Sequence, residues 1–356
     1  MKDLYVISDL HLGAIRSAGT TPASALQLRA DLQSGFAKLL DQVGNSDLLI
    51  NGDLFDTSNV SLRDLFGAYS SLRFWLAQSP DCTLILPPGN HDLSKNSAVF
   101  TSFDLLTNLL QSEFGSRVIV PREGQTLLTG QYVIPHVANQ DLFDLELKKF
   151  KAQAEQLSIT YDYLFLHCNY DNKFAVESDH SLNLSAEVAR DLPVKTIVLG
   201  HEHQQSSAQG GKVLVVGNQL PSSVADCLGN AEKFMLRIRP EKAVMLSIWK
   251  AEDDFARLDW REMAKYGGKA RFIRIEGEAS AAEASDVIAA IAKFRQRSEA
   301  LVITNGVAVE GSNDQAQMQV SLEQIKSFSV LDALLETLNK DERAKVEALL
   351  KDENHV

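Results

Sequence analysis

Aspartate, asparagine and histidine recur just past the ends of short apolar runs in this chain. Leu4 to Ile7 is followed by Asp9 and His11, and Leu48 to Ile50 by Gly52 and Asp53. The run from Cys82 to Leu86 leads into Pro87-Pro88-Gly89-Asn90-His91-Asp92, and Tyr161 to Leu166 delivers His167. Thr196 to Leu199 opens onto Gly200-His201-Glu202-His203, where a glycine allows the sharp backbone exit that such a turn needs. Five of the eight histidines hold these positions, whereas His136, His180 and His355 fall outside them and read as structural or surface residues. One such pair alone is weak, because a histidine pair at a strand end is more often simply hydrogen-bonded. Together they form a mixed oxygen and nitrogen donor set, which suits manganese, iron, cobalt or zinc better than magnesium or calcium. There are too many donors for one ion. Two ions ~3.5–4 Å apart sharing a carboxylate account for them, and such a pair clamps the oxygens of a phosphoryl displacement and activates water. The departing oxygen needs an acid, and a histidine beside the metals that does not ligate them suits that role. His91 is the candidate, with its neighbour Asn90 as the ligand.

The elements that must position these residues alternate. Strands are expected at Asp3–Ser8, Asp47–Asn51 and Cys82–Leu86, with helices at Ala25–Val43 and Leu62–Gln78 between them, the loop before the first helix taking in Pro22. Apolar residues at Leu28, Leu32, Phe36, Leu39 and Leu40 give that helix one buried face. Polar residues at the carboxyl ends of buried strands are the usual site placement in layered α/β folds. Further strands are expected at Arg117–Val120, Gln131–Pro135, Tyr161–Leu166, Lys195–Leu199, Lys212–Val216, Lys233–Arg239 and Ala243–Trp249, and helices at Phe103–Gln111 and Asp141–Leu157. Near residue 250 the character shifts. Ala251–Gly268 reads as a charged, irregular linker, and a strand, helix and strand at 269–276, 279–296 and 300–309 form a small α/β unit. Two terminal helices follow at about 321–338 and 340–352, the first with an apolar stripe of Ile325, Phe328, Leu331, Leu334 and Leu335. The division expected is 1–250, 251–315 and 316–356.

Composition narrows the class. A chain of 356 residues with 45% hydrophobic and 23% charged residues is ordinary for a globular protein. No apolar run nears the ~18 residues of a membrane span, and no signal-peptide pattern is present, so no membrane contact is expected. Three well-separated cysteines argue against a disulfide framework and fit a reducing cytoplasm. The formal net charge of −12 excludes a protein that grips nucleic acid by bulk charge alone. Any such contact would need local basic patches, bound metal ions or a basic partner.

In order, D-x-H, G-D-x-x-D, G-N-H-D, an isolated histidine and G-H-x-H resemble the calcineurin-like metallophosphoesterases over roughly residues 1 to 250. The resemblance implies two facing β-sheets flanked by helices, with a small α/β cap and C-terminal helices appended. It implies one ion held by Asp9, His11, Asp53 and His203, and another by Asp53, Asn90, His167 and His201, with Asp53 bridging and His91 assisting the leaving group. Manganese is the metal the family suggests. At a finer level, Gly52–Thr57, the loop Gly217–Ser223 followed by Lys233, and the unit at 269–309 are similar to SbcD-like nuclease subunits of bacterial SbcCD complexes. The compact tail is similar to phage-encoded recombination exonuclease subunits, whose place would be the host cytoplasm. That resemblance implies a DNA exonuclease and endonuclease in repair or recombination. It further implies a DNA-capping role for 251–315, a tail binding an SbcC-like ATPase, and a homodimer. Some relatives carry a histidine where this chain has Asp56, which here could instead orient a ligand imidazole. A stand-alone phosphodiesterase acting on a small nucleotide is the alternative, and a non-enzymatic scaffold is disfavoured because every ligand is retained.

Overall fold

The computed structural model describes residues 2–15, 21–96, 98–127, 130–172, 181–229, 231–239 and 242–310. The expected terminal helices and the apolar stripe from Ile325, with His180 and His355, lie outside the described residues. The chain begins β1 (Leu4–Ile7), α1 (Pro22–Val43), β2 (Asp47–Ile50), α2 (Leu62–Gln78), β3 (Leu84–Ile85), α3 (Ser102–Phe114) and β4 (Val118–Ile119). It continues through β5 (Gln125–Thr126), β6 (Gln131–Ile134), α4 (Gln140–Leu157), β7 (Tyr161–His167), β8 (Asn169–Tyr170), β9 (Asn183–Leu184), α5 (Ala186–Asp191) and β10 (Val194–Gly200). Then come β11 (Ser206–Ala208), β12 (Val213–Val215), β13 (Glu232–Ile238) and β14 (Ala243–Lys250). The last described part holds β15 (Phe255–Asp259), β16 (Phe272–Glu276), β17 (Glu278–Ala279), α6 (Ala284–Arg297), β18 (Val302–Asn305) and β19 (Ala308–Val309).

Two six-stranded sheets face each other, ordered β14-β13-β1-β2-β3-β4 and β11-β12-β10-β7-β6-β5. The alternation of side chains along a strand explains the three layers of core. Leu4 and Val6 of β1, Leu49 of β2 and Ile85 of β3 meet Val133, Phe165 and Val198 of the other sheet between the layers. Tyr5, Ile7, Leu48, Ile50 and Leu84 point the other way, onto α1, α2 and α3. Ile134, Leu164, Leu166, Ile197 and Leu199 pack outward on Phe143, Leu147 and Phe150 of α4. Both faces of each sheet are covered, which is why the central strands read as unbroken apolar runs. Full burial of a side chain such as Phe36 or Leu164 contributes about 1.5–3 kcal/mol.

Among the boundaries that differ from the sequence reading, such as the helix expected at 279–296 that runs Ala284–Arg297, two have reasons that bear on the fold. Helix α1 starts at Pro22, not Ala25: Thr21 is its N-cap, with its side chain accepting from the backbone of Ser24, and proline fits the first helical position because that N–H is unpaired anyway. The expected linker contains β15, whose partner in a three-stranded parallel sheet is β16. Its charged residues, Arg257 and Asp259, face solvent, while Ala256 and Leu258 lean on Ile273, Ile275 and α6, and Phe255 packs on the core of the larger sandwich. This small unit is fastened to the larger sandwich. Phe272, Leu301 and Val302 join the core beneath α1, and the Arg271 guanidinium pairs with both Asp254 and Asp31 of α1.

Candidate metal centre

The carboxyl ends of β1, β2, β7 and β10 lie side by side, because β1 pairs with β2 in parallel and β7 with β10 in parallel. The loops beyond β1 and β2 are zipped together by Asp9 N–H to Gly52 carbonyl and His11 N–H to Asp53 carbonyl, each at 3.1 Å. Asp9, His11, Asp53 and His201 all have positive φ, between 45° and 85°. A non-glycine residue held there costs about 1–3 kcal/mol, and such strain gathers where side chains must be aimed. Gly200, expected to make the sharp exit, is not the residue that turns; His201 is, with φ of 85°. Gly200 is required for another reason. A Cβ there would sit 2.2 Å from Ser8 Oγ and 2.9 Å from His167 Nδ1.

All the residues singled out in the sequence converge. His11 Nε2 lies 3.0 Å from His203 Nε2. Asn90 Oδ1 lies 3.1 Å from His167 Nε2 and 3.0 Å from His201 Nδ1. Asp53 Oδ2 is 3.3 Å from His167 Nε2, 3.9 Å from His11 Nε2 and 4.0 Å from His91 Nε2. Three overlapping groups of donor atoms result: Asp9, His11 and His203; His11, Asp53 and His91; Asp53, His167 and His201. Asp53 and His11 connect them. Asp9, His11, Asp53 and His167 are buried, whereas the His91 side chain keeps 42% of its surface exposed and stands at the mouth.

The tautomers decide whether a cation fits. His203 Nδ1–H donates to Asp226 Oδ1 at 2.8 Å, and His167 Nδ1–H to the Asn51 carbonyl at 2.8 Å. His11 Nδ1 faces Asp56 Oδ1 at 3.3 Å. With the protons spent outward, the inward Nε2 atoms present lone pairs to one another, to the Asn90 amide oxygen and to carboxylate oxygens. Lone pairs at about 3 Å repel unless a proton or a metal ion lies among them, so the donor set fits divalent cations.

The charges agree. Burial works against the Asp53 carboxylate, but His167, then His11 and His91, hold it well below the usual carboxylate range. Burial would likewise depress His167, yet Asp53 raises it. His201 is pushed down to about 4, chiefly by burial and then by the charge of His167. His136, read from the sequence as a structural or surface residue, borders this cluster with its ring 6.3 Å from that of His167; burial pushes it down to about 3.

Three supporting residues had no role in the sequence reading, or an open one. Asp56 turns its carboxylate to His11, and its backbone carbonyl accepts from His91 Nδ1 at 2.6 Å. Asp92 accepts from the backbone of Leu54, Phe55 and Gly89, tying two ligand loops together; burial, then the charge of Asp53, raise its carboxyl. Asp226 orients His203; burial opposes its charge, but the His203 contact keeps it well below the usual range. The D of G-N-H-D was a visible signal for Asp92. Asp226 sits in an aperiodic loop and gave none.

A protein-family model described as calcineurin-like phosphoesterase matches residues 3–205. No curated protein matches the chain. Similar solved structures include a cold-active protein-tyrosine phosphatase of a psychrophilic Shewanella species, 12% identical over 70% of this chain and 81% of that one, with a TM-score of 0.35. Another is a dimetal phosphatase from Danio rerio, 10% identical over 69% of this chain and 95% of that one, with a TM-score of 0.37.

Proposed function

The chain belongs to the calcineurin-like phosphoesterases, and from that premise we propose that it is the metal-dependent DNA nuclease subunit of an SbcCD-like complex. Phosphoester hydrolysis at a divalent-metal centre follows from the family and the donor clusters. The observation that carries the hydrolytic reading is the set of overlapping donor clusters connected through Asp53 and His11, with an exposed imidazole beside them. Asp9, His11, Asp53 and His203 would hold one ion, and Asp53, Asn90, His167 and His201 the other, with manganese our choice of metal. When bound, two such cations polarise phosphoryl oxygens and bring the pKa of water near neutrality.

The residues of the chain do the rest. Asp53 holds the two clusters in register. The Asp56 carbonyl fixes His91 Nδ1–H, so Nε2 is left facing the donor cluster, 4.0 Å from Asp53 Oδ2. A charged His91 can there hand its Nε2 proton to the departing oxygen. If that oxygen is the 3′ oxygen of a DNA strand, the products are 5′ nucleotides.

What supports the nuclease reading is the unit beyond residue 250, which a small-substrate enzyme does not need, together with the loop Gly217–Ser223. Of the basic residues on that unit, Arg257 and Arg261 pair with Glu276 and Glu283, and Arg271 is spent on fastening it to α1. With a net charge of −12, most of the DNA grip would fall to the ATPase partner in this proposal. A homodimer is part of the same proposal: α2 exposes Leu62, Phe66 and Phe74 on its outer side. No helix among the described residues is long and apolar enough to cross a membrane. A cytoplasmic location belongs to the proposal through the three separated cysteines.

The test is degradation of linear double- and single-stranded DNA in manganese, with and without a co-encoded SbcC-like ATPase. Metal-dependent digestion stimulated by the partner with ATP is expected. Intact DNA beside cleavage of a small nucleotide phosphodiester would favour the stand-alone enzyme instead.

A further inference from the structure

Behind the ligands, away from the mouth, runs the loop from Gly217 to Cys227, followed by Lys233 at the start of β13. We propose that this loop and Lys233 form a positioning device for one ion of the pair, the one whose donors are Asp9, His11 and His203. The proposal rests on the metallophosphoesterase reading above.

Asp226 is the centre of the device. It is buried, and both of its oxygens are engaged. Oδ1 accepts from His203 Nδ1 at 2.8 Å, and Oδ2 accepts from Ser222 N–H at 2.9 Å and from the N–H and hydroxyl of Ser223, each at 2.8 Å. A carboxylate can only accept, so the proton of His203 must sit on Nδ1 and Nε2 must offer its lone pair inward. Lys233, also buried, pins the backbone of the same residue by donating from Nζ to the His203 carbonyl at 3.0 Å, and it donates as well to Asn218 Oδ1. Gln219 extends the loop to a second donor of that ion. Its Oε1 accepts from Ser8 N–H at 2.6 Å, while Ser8 Oγ donates to Asp9 Oδ2. Gln219 is itself fixed by donating to the Gly217 and Phe234 carbonyls.

The other cluster meets this network at Ser8, whose Oγ also reaches the Asn51 carbonyl at 2.8 Å, and at Asp9, which accepts from His201 N–H, but not at Asp226, and its main supports lie elsewhere. His167 leans on the Asn51 carbonyl, and Asn51 is anchored to the Leu166 carbonyl. Asn90 belongs to the loop that Asp92 ties to Leu54 and Phe55. Perturbing Asp226 therefore separates the two ions.

The isosteric substitution Asp226→Asn makes the test sharp. Ser222 N–H and Ser223 N–H both need an acceptor, so the amide oxygen takes the Oδ2 place and the amide NH2 faces His203. That forces the proton onto Nε2, where it points at the metal. Shape and hydrogen-bond number are kept, while the tautomer is reversed and the charge of the carboxylate is removed. Manganese alone is titrated calorimetrically into the metal-free full chain. The wild type should take up two ions. Asp226→Asn should lose ~10–100-fold in affinity for one of them, the usual effect of removing the partner of a ligand, with the other held within about twofold and the melting temperature close to wild type. Two ions bound with wild-type affinity in Asp226→Asn would overturn the proposal. Nitrogen-15 shifts of the neutral imidazoles in the metal-free wild type need no variant to fold: Nδ1–H on His203 is expected, and Nε2–H overturns the proposal. A wild type that takes up no manganese would contradict the metallophosphoesterase reading itself, and the His203 tautomer would still decide the role of Asp226.

Discussion

The two halves of the donor set are built differently. His11 and His203 are backed by side-chain carboxylates, Asp56 and Asp226, whereas His167 is backed by a main-chain carbonyl, that of Asn51. A carboxylate behind an imidazole raises its basicity and can be altered by one substitution. A carbonyl is set by the course of β2 and is changed only by moving the backbone. One half is therefore written in individual residues and the other in the packing of the sandwich.

The largest effect should come from Asp53, which both halves share. Asp53→Asn should remove the distinction by weakening both ions and abolishing phosphodiester hydrolysis; calorimetric titration with manganese beside an activity assay reads both. His91→Ala should do the reverse, lowering kcat ~10²–10⁴-fold, the range for a lost general acid, while both ions bind as before. Gly200→Ala strikes the carbonyl-backed half and, through Ser8, also reaches Asp9 of the other. The new Cβ meets Ser8 Oγ, the Asn51 carbonyl and His167 Nδ1 within 2.9 Å, so His167 must shift. Weaker binding of the ion at His167 and a loss of about 1–3 kcal/mol in urea unfolding are expected.

The smallest effect belongs to the fastening of the smaller unit. Arg271→Ala leaves Asp254 and Asp31 facing each other without their cation, and should cost about 1 kcal/mol, given the partial exposure of Arg271. Neither ion should change. Burial works against the charge of Asp254, but Arg271 holds its carboxyl below the usual value. A depressed carboxylate contributes stability above its unfolded pKa of about 3.9, and that contribution is lost as the pH falls through the folded value. Acid should thus erode the stability of the wild type more than that of Arg271→Ala, measured as melting temperature between pH 6 and pH 3.

The ligands were legible because each follows an apolar strand, and parallel pairing brings strand ends together whatever the loops do. Leu62–Gln78 was legible to the residue, since Ser61 caps it and its apolar spacing is regular. Less was legible where the cause is three-dimensional. Asp226 is 23 residues from His203 in sequence and no periodicity links them. Gly200 reads as a flexible turn until Ser8 is seen against it. His136 falls outside the strand-end pattern, yet it follows β6, which pairs with β7, and its N–H reaches the Pro88 carbonyl in the loop of Asn90. The strand β15 was hidden by its own exposed charges, and Pro22 reads as a breaker unless Thr21 is recognised as its cap.

The most direct test of the central claim is hydrolysis of bis(p-nitrophenyl) phosphate by the metal-free chain as manganese is added back, with Asp53→Asn alongside. We predict activity that appears only with metal, saturates at two ions per chain and is absent in the variant. Activity in the thoroughly chelated wild type, or equal activity in Asp53→Asn, would contradict a site in which one carboxylate serves two ions.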